Sequence, residues 1–497
     1  MIVFSPAVAA AAAVLFLGYH LYRYLQSPLR KIPGPALCGL TSLVLKWHEF
    51  QAKRTDFVHR LHLQYGPVVR IAPNEVSFAS WPAVKEIYCS GGSGYDKTEF
   101  YDLFKAYSRR TMFTMLNKAD HAKRKRVIAD RYANSNIMKS ASLSGIQERS
   151  NRFIQRCASS ADGTQDVFVA LLALKTDCSG TNRSSTALHS YACDCATHHL
   201  FHPHGTNCLQ DPKDEDMMHQ VAADDSLQNR LISHWSPTLH RLLARVLTMF
   251  AKPREIPLAT AYVLDSSSRS DVATFTLMSR LEEKHGELES IDMAAECLDH
   301  MAAGIDTTGD GLCFLMWELS QPRSLAFQQK LQRELQSQPD VPFDKLSYLD
   351  AVVLEGLRCF PPIPMSLPRY VPEGGREIDG VWLPEKTVVS CQAFTLHRLD
   401  QTLFPDPDKF NPDRWLEPEG DADRRRMLFA FSNGGRGCVG KHLAIAEMKT
   451  LLRDVYSNFT TVPDASMQDE SMAMSDQLIS SRPVGGQCLL KFDRIAK

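Results

Sequence analysis

Residues 431–440 read FSNGGRGCVG, and the fold of the whole chain is read from this stretch. Phe431, Gly434, Arg436, Cys438 and Gly440 stand at the spacing F-x2-G-x-R-x-C-x-G. Glycines on both sides of one cysteine let the backbone take conformations closed to other residues and pass close to whatever the sulfur holds. A helix is expected from about Lys441, and its first N–H groups would face the sulfur and favour the thiolate. Arg436 is suited to a carboxylate partner. An isolated cysteine is more often an inert buried thiol; this setting argues instead for a metal ligand.

Three upstream stretches carry polar residues where a plain structural element would not favour them. AAGIDTTGDG sets Gly304, Asp306 and Thr307 inside a helix predicted over residues 290–319. A glycine and an acid-alcohol pair in mid-helix are individually unfavourable, which suggests a local task, although a polar stripe is the plainer reading. LDAVVLEGLRCFPP places Glu355 and Arg358 three apart on one helix face, stopped by Pro361 and Pro362. DHAKRKRVIADRY carries His121 followed by Arg124, Lys125 and Arg126.

These motifs, in this order, resemble those of the cytochrome P450 family, and the resemblance extends over nearly the whole chain. It implies a mainly α fold with a small β region, and haem (iron protoporphyrin IX) held by Cys438 as axial thiolate, with Phe431 and Gly440 in the loop around it. Arg436, Arg369 in SLPRYVP, His121 and Lys125 are the implied contacts to the haem propionates; the family commonly has Arg where Lys125 stands. Glu355, Arg358 and Arg414 of FNPDRW resemble a structural cluster that serves folding. By the same likeness, Gly304 leaves space for dioxygen, while Asp306 and Thr307 manage proton delivery.

The implied activity is that of a haem-thiolate monooxygenase inserting one atom of dioxygen into a lipophilic small molecule, by hydroxylation or epoxidation. Electrons would come from NADPH-cytochrome P450 reductase, with the basic run 123–126 as a candidate docking face. The sequence is similar to fungal members that serve secondary metabolism. Two rivals are a haem-thiolate isomerase or dehydratase that does not use dioxygen, and a non-catalytic haem-binding protein. Asp306 and Thr307 speak against the first. An apolar pocket speaks against the second: residues 95–118, including Phe100, Tyr101, Phe104, Tyr107, Met112 and Phe113, are its expected wall, with residues 217–250, 301–305 and 364–367.

With 497 residues and 44% apolar composition, the chain can bury a core around a cofactor of that size. A formal net charge of −1 leaves no field to draw it onto nucleic acid. Thirteen cysteines without paired spacings argue for reduced thiols in a reducing compartment. Residues 1–22 contain no Lys, Arg, Asp or Glu and are largely apolar, which predicts a transmembrane anchor; no positive segment precedes them as in a signal peptide. Residues 23–36, with Arg23, Arg30, Lys31 and Pro33-Gly34-Pro35, read as a basic, Pro-rich hinge, and residues 37–497 as the haem-binding catalytic domain. The positive charge after the span predicts a cytosolic catalytic domain at the endoplasmic reticulum membrane.

Elsewhere, period-two runs around Pro73-Asn74 predict a hairpin over residues 66–80. Helical spacing is read at 118–132, 143–157, 217–232 and 271–284, strands at 377–391 and 459–492, and an irregular loop at 400–427. Residues 172–208 crowd cysteines and histidines without a C-x2-C pair, so they read as helix plus loop rather than a zinc site. Within them, SGTNRSST at 179–186 reads as an insertion.

Overall fold

The structure is a computed structural model and describes residues 6–159, 163–168, 188–222, 227–250, 256–284, 286 and 288–495. The fold is mainly helical with a small β region. Its axis is the helix Ser290–Ser320, 31 residues long. From residue 308 to its end every residue of that helix is buried, and its two acids are partnered there, Asp310 by His189 at 3.1 Å and Glu318 by Arg323 at 2.7 Å. Three glycines let other elements approach it. A Cβ at Gly309 would meet the His189 ring at 2.7 Å, and one at Gly311 would meet Pro362 at 3.1 Å. One at Gly304 would come within 3.0 Å of the Ala196 Cβ, so this glycine also admits the crossing helix Leu188–Phe201.

The predicted hairpin is present: Val68–Ala72 pairs antiparallel with Glu75–Phe78 across Pro73-Asn74. Glu75–Phe78 then pairs in parallel with Val388–Cys391, on which the two-residue strand Arg369–Tyr370 lies antiparallel. The register Arg369↔Val389 fixes where Arg369 stands. The 377–391 reading resolves into Arg376–Ile378, Val381–Leu383 and Val388–Cys391, and 459–492 into four short strands from Phe459–Pro463 to Leu489–Arg494.

Several boundaries differ from the sequence reading. The helix read at 118–132 ends at Ile128. That at 143–157 spans Ser140–Ser159. Residues 217–232 fall on two helices, Pro212–Ala222 and Leu227–Trp235. Of 271–284 only Leu277–Glu282 is helical, because the Thr276 side chain accepts the Ser279 N–H at 3.2 Å and starts the helix there. The loop 400–427 is irregular as far as Pro412–Trp415, but its last seven residues, Asp421–Met427, form a helix entered through Gly420 at φ +72°.

The His- and Cys-rich segment is helical from Leu188 to Phe201 and buried throughout. His198 and His202 stand four apart with ring centroids 4.6 Å from each other, packed on Phe275. Among the described residues no group of His, Cys, Asp or Glu could hold a metal ion. SGTNRSST lies outside the described residues. The first helix spans Pro6–Gln26, and no helix among the described residues is long and apolar enough to cross a membrane.

Candidate haem-thiolate site

The cysteine loop is set by backbone geometry before any side chain acts. Ser432 and Gly434 have φ of +56° and +70°. A Cβ at Gly434 would overlap the carbonyl oxygen of Tyr88, and one at Gly435 would lie 2.5 Å from that of Gly92, so the loop presses on the segment Lys85–Cys89 and on Gly92 just after it. The Cys438 N–H donates to the Phe431 carbonyl at 2.9 Å, closing the turn, and the helix Lys441–Asn458 begins three residues after the cysteine. Cys438 lies deep in the protein, yet its sulfur is open, unlike the ten buried cysteines elsewhere in the described residues. Burial pushes its thiol up; the N–H groups of Gly440 and Lys441 and the ammonium of Lys125 pull the other way. The expected N–H donors are therefore present. A second open position is Ala303, exposed midway along a helix whose neighbour Met301 is fully buried.

Basic groups converge beside this loop. Arg436 is 7% exposed and donates to the Leu116 carbonyl at 3.0 Å and to Asp96 at 3.1 Å, while its buried Nε has no partner. Arg369 is 3% exposed and donates to the Tyr101 hydroxyl at 2.6 Å. His121 is buried, and its pKa is pushed down to about 3 by burial, then by Lys97, Arg436, Lys125 and Arg369 in turn. Lys97 is buried as well; its Nζ donates to the Phe113 carbonyl at 2.5 Å, and burial followed by Arg369 and Arg436 drives its pKa well below the usual lysine value. Asp96 and Asp299 are the acids that oppose this cluster. Basic groups buried in such excess over acids await anionic partners, which would favour their charged forms. The cradle fits a flat group bearing carboxylates, and the open thiol fits its metal.

Lys97, with no motif around it in YDKTEF, escaped the sequence reading. Lys125 is brought to the loop itself, donating to the Gly435 carbonyl at 2.8 Å. Phe431 packs partly buried against the main core, and Gly440 leads into the helix, 3.9 Å from the sulfur when given a Cβ.

The buried cluster read from Glu355 anchors the loop from behind. Glu355 and Arg358 are fully buried, paired at 2.8 Å, and Arg414 joins at 3.0 Å. Burial pushes the Glu355 carboxyl up, but Arg358, Arg414 and the Asn411 N–H outweigh it and hold it below the usual value. The Phe429 N–H donates to His397 Nε2 at 2.8 Å, so the neutral ring must carry its proton on Nδ1, which lies 3.0 Å from the Arg358 carbonyl. Burial lowers the pKa of His397 to about 3, consistent with that neutral ring. His397 thus ties the cluster to the chain two residues before Phe431, and it too carried no sequence signal.

On the long helix, the Thr307 hydroxyl donates to the Ala303 carbonyl at 2.6 Å. The Asp306 carboxylate lies 3.4 Å from Arg482 of the strand Ser481–Pro483.

Comparison with known proteins settles what this arrangement belongs to. A family model described as Cytochrome P450 matches residues 33–489. The chain belongs to the cytochrome P450 family. The cofactor of this P450 is haem, and the protein is a haem-thiolate monooxygenase. Similar proteins include cytochrome P450 monooxygenase orf2 of Aspergillus niger, 27% identical over 98% of this chain and 98% of that relative. Cytochrome P450 monooxygenase aflV of Aspergillus parasiticus is 27% identical over 94% of this P450 and 91% of its own length. Cytochrome P450 monooxygenase stcB of Emericella nidulans is 26% identical over 93% and 88%. These names do not favour the isomerase or the non-catalytic reading.

Proposed function

We propose that this P450 hydroxylates or epoxidises a lipophilic intermediate of fungal secondary metabolism, with Cys438 as the iron ligand. The observation that carries the placement is the open Cys438 sulfur beside a buried excess of basic side chains. Lys97, His121, Arg369 and Arg436 hold the propionates, and Lys125 braces the cysteine loop through Gly435. Bound haem supplies the activation of dioxygen, one atom of which enters the substrate while the other leaves as water, with two electrons from NADPH through cytochrome P450 reductase. The lipophilic substrate is supported by Phe100, Tyr101, Phe104 and Phe113, whose rings stack edge to face at 5.3–5.7 Å near the cradle.

Proton handling falls to two side chains. The Thr307 hydroxyl gives its proton to Ala303 O in the helix and can turn it toward the site, since that backbone carbonyl has a helical partner of its own. Asp306, beside Arg482 and a quarter exposed at its side chain, exchanges protons with solvent and passes them inward. Residues 1–22 anchor the protein to the endoplasmic reticulum membrane, with residues 23–36 as hinge and the catalytic domain cytosolic. That reading rests on the uncharged N-terminal stretch and the Arg23, Arg30 and Lys31 that follow it.

The test is a pair of variants assayed with reductase, NADPH and extracts of a deletion strain that accumulate the substrate. Thr307→Ala should keep haem and oxygen consumption but divert electrons from product to peroxide. Asp306→Asn should slow oxygen consumption itself. Label from 18O2 should enter the wild-type product. Product formed by Thr307→Ala at the wild-type rate and coupling would remove Thr307 from proton delivery, and unlabelled product would remove the oxygenase reading.

A further inference from the structure

Tyr132 stands just after the helix Lys118–Ile128, which brings His121 and Lys125 to the cradle and the cysteine loop. It is 5% exposed, and its hydroxyl donates to His300 Nδ1 at 2.6 Å. His300 lies one turn before Gly304 on the same face of the long helix. One turn earlier on that face is Glu296, fully buried, with one carboxylate oxygen taken by Arg124 and by the Met112 N–H at 2.9 Å. Its other oxygen has no hydrogen-bond partner and faces His300 Nε2 at 3.6 Å. That carboxylate favours the ring proton on Nε2, which leaves Nδ1 to accept from the phenol.

Other tyrosines are placed differently. Tyr88, Tyr191 and Tyr262 donate to the backbone carbonyls of Leu367, Glu447 and His204, which cannot take a proton over. Tyr101, at the cradle, accepts from Arg369 at 2.6 Å, and that guanidinium opposes the loss of an electron. Burial, then Cys297 and Cys438, push the Tyr132 phenol well above the usual value, so it does not ionise alone. The same influence of Cys438 puts Tyr132 within electrostatic reach of the sulfur. Burial lowers His300 to about 4, which keeps its ring neutral and able to accept a proton. An electron leaving Tyr132 without that proton would strand a positive charge in the core. With the proton moved to His300, the new imidazolium faces the Glu296 carboxylate instead.

We propose that Tyr132 is a proton-coupled electron donor to the haem, which disposes of hydrogen peroxide made by uncoupled turnover when no substrate is in place. Peroxide takes up two electrons and two protons as its O–O bond breaks. One electron comes from Tyr132, whose O–H proton passes to His300 Nδ1, and the second comes from the haem. Two electrons from NADPH, arriving through the reductase, restore both, and the proton returns from His300 to the tyrosine oxygen. The sum is one peroxide, one NADPH and one proton giving two waters and NADP+. The proposal rests on haem lying at Cys438, and the test separates the two failures.

Haem-loaded protein is first reduced under carbon monoxide; without the band of thiolate ligation the haem placement falls and the proposal with it. With that band present, ferric protein free of substrate and reductase is mixed with equimolar hydrogen peroxide, frozen within milliseconds and read by electron paramagnetic resonance. The wild type should give an organic radical whose spectrum narrows when its tyrosines are ring-deuterated. Tyr132→Phe should lose that signal. Tyr95→Phe, which removes the phenol held by the Glu86 carboxylate at 2.7 Å, should keep it. His300→Gln leaves the phenol a hydrogen-bond acceptor but takes no proton; it should lose the signal while keeping haem and the thiolate band. In excess peroxide, Tyr132→Phe and His300→Gln should both lose the Soret band faster than the wild type. A tyrosine radical of wild-type yield in Tyr132→Phe would place the donor elsewhere and overturn the proposal. A wild-type yield in His300→Gln, or no tyrosine radical in the wild type, would overturn it equally.

Discussion

Replacing Glu355 by Gln keeps the size of the side chain and removes its charge. Five N–H groups end on this fully buried carboxylate: Arg358 Nε and Nη2 at 2.8 and 2.9 Å, Arg414 Nε at 3.0 Å, Trp415 Nε1 at 2.9 Å and the Asn411 N–H at 2.9 Å. A glutamine offers one acceptor oxygen and turns the other position into a donor, so at least the donors on that side collide with it. Both guanidiniums then stay buried without counter-charge. Removing one partner of a buried pair costs about 3–5 kcal/mol, a large part of the ~5–15 kcal/mol that holds a typical native protein. The effect should reach the cysteine loop, since Arg358 also positions His397, and His397 accepts the Phe429 N–H. Urea unfolding followed by tryptophan fluorescence should show the midpoint falling sharply, and the purified variant should carry little haem. If Glu355→Gln unfolded within about 1 kcal/mol of the wild type and kept a full haem load, the cluster would not be the anchor described here.

Other variants probe the parts separately. His397→Ala orphans the Phe429 N–H and should cost about 1–3 kcal/mol, with faster haem loss measured by transfer to an acceptor globin. Because burial lowers the His397 pKa from 6.5 to about 3, its contribution is complete above pH 6.5 and fades as pH falls toward 3; in urea titrations the gap between wild type and His397→Ala should narrow by roughly 1 kcal/mol on going from about pH 7.5 to about pH 5.5. Lys97→Met should leave haem-free protein at least as stable to urea while haem dissociates about tenfold faster or more, since a charge-assisted contact is lost. Gly434→Ala, which adds a Cβ against the Tyr88 carbonyl at φ +70°, should cost more than the ~1–2 kcal/mol of the left-handed conformation alone and should abolish haem incorporation.

What the sequence disclosed and what it hid have physical reasons. Cys438, Arg436 and the glycines were legible because a loop that must pass tightly around one sulfur constrains every position within it. Glu355, Arg358 and Arg414 were legible because buried charges need partners at fixed places. The long helix was read to within a residue because no proline interrupts it before Pro322. Lys97 and His397 stayed hidden, since each acquires its role from chain segments far away in sequence: Lys97 from Arg369 and Arg436, His397 from Arg358 and Phe429. Gly304 was read as room for dioxygen, and the structure adds a second reason for it in the close crossing of Ala196. The ends of the helices at 118–132 and 271–284 were misplaced because helical spacing continues past the point where capping stops or starts the helix, as Thr276 does.

In the proposed site Cys438 alone holds the iron. This assignment is tested most directly by the absorption spectrum of the reduced protein under carbon monoxide, for the wild type and Cys438→Ala purified side by side. The wild type should show the red-shifted Soret band of thiolate ligation, and Cys438→Ala should lose it entirely. The same band at full intensity in Cys438→Ala would assign the ligand to another cysteine and contradict the site described here.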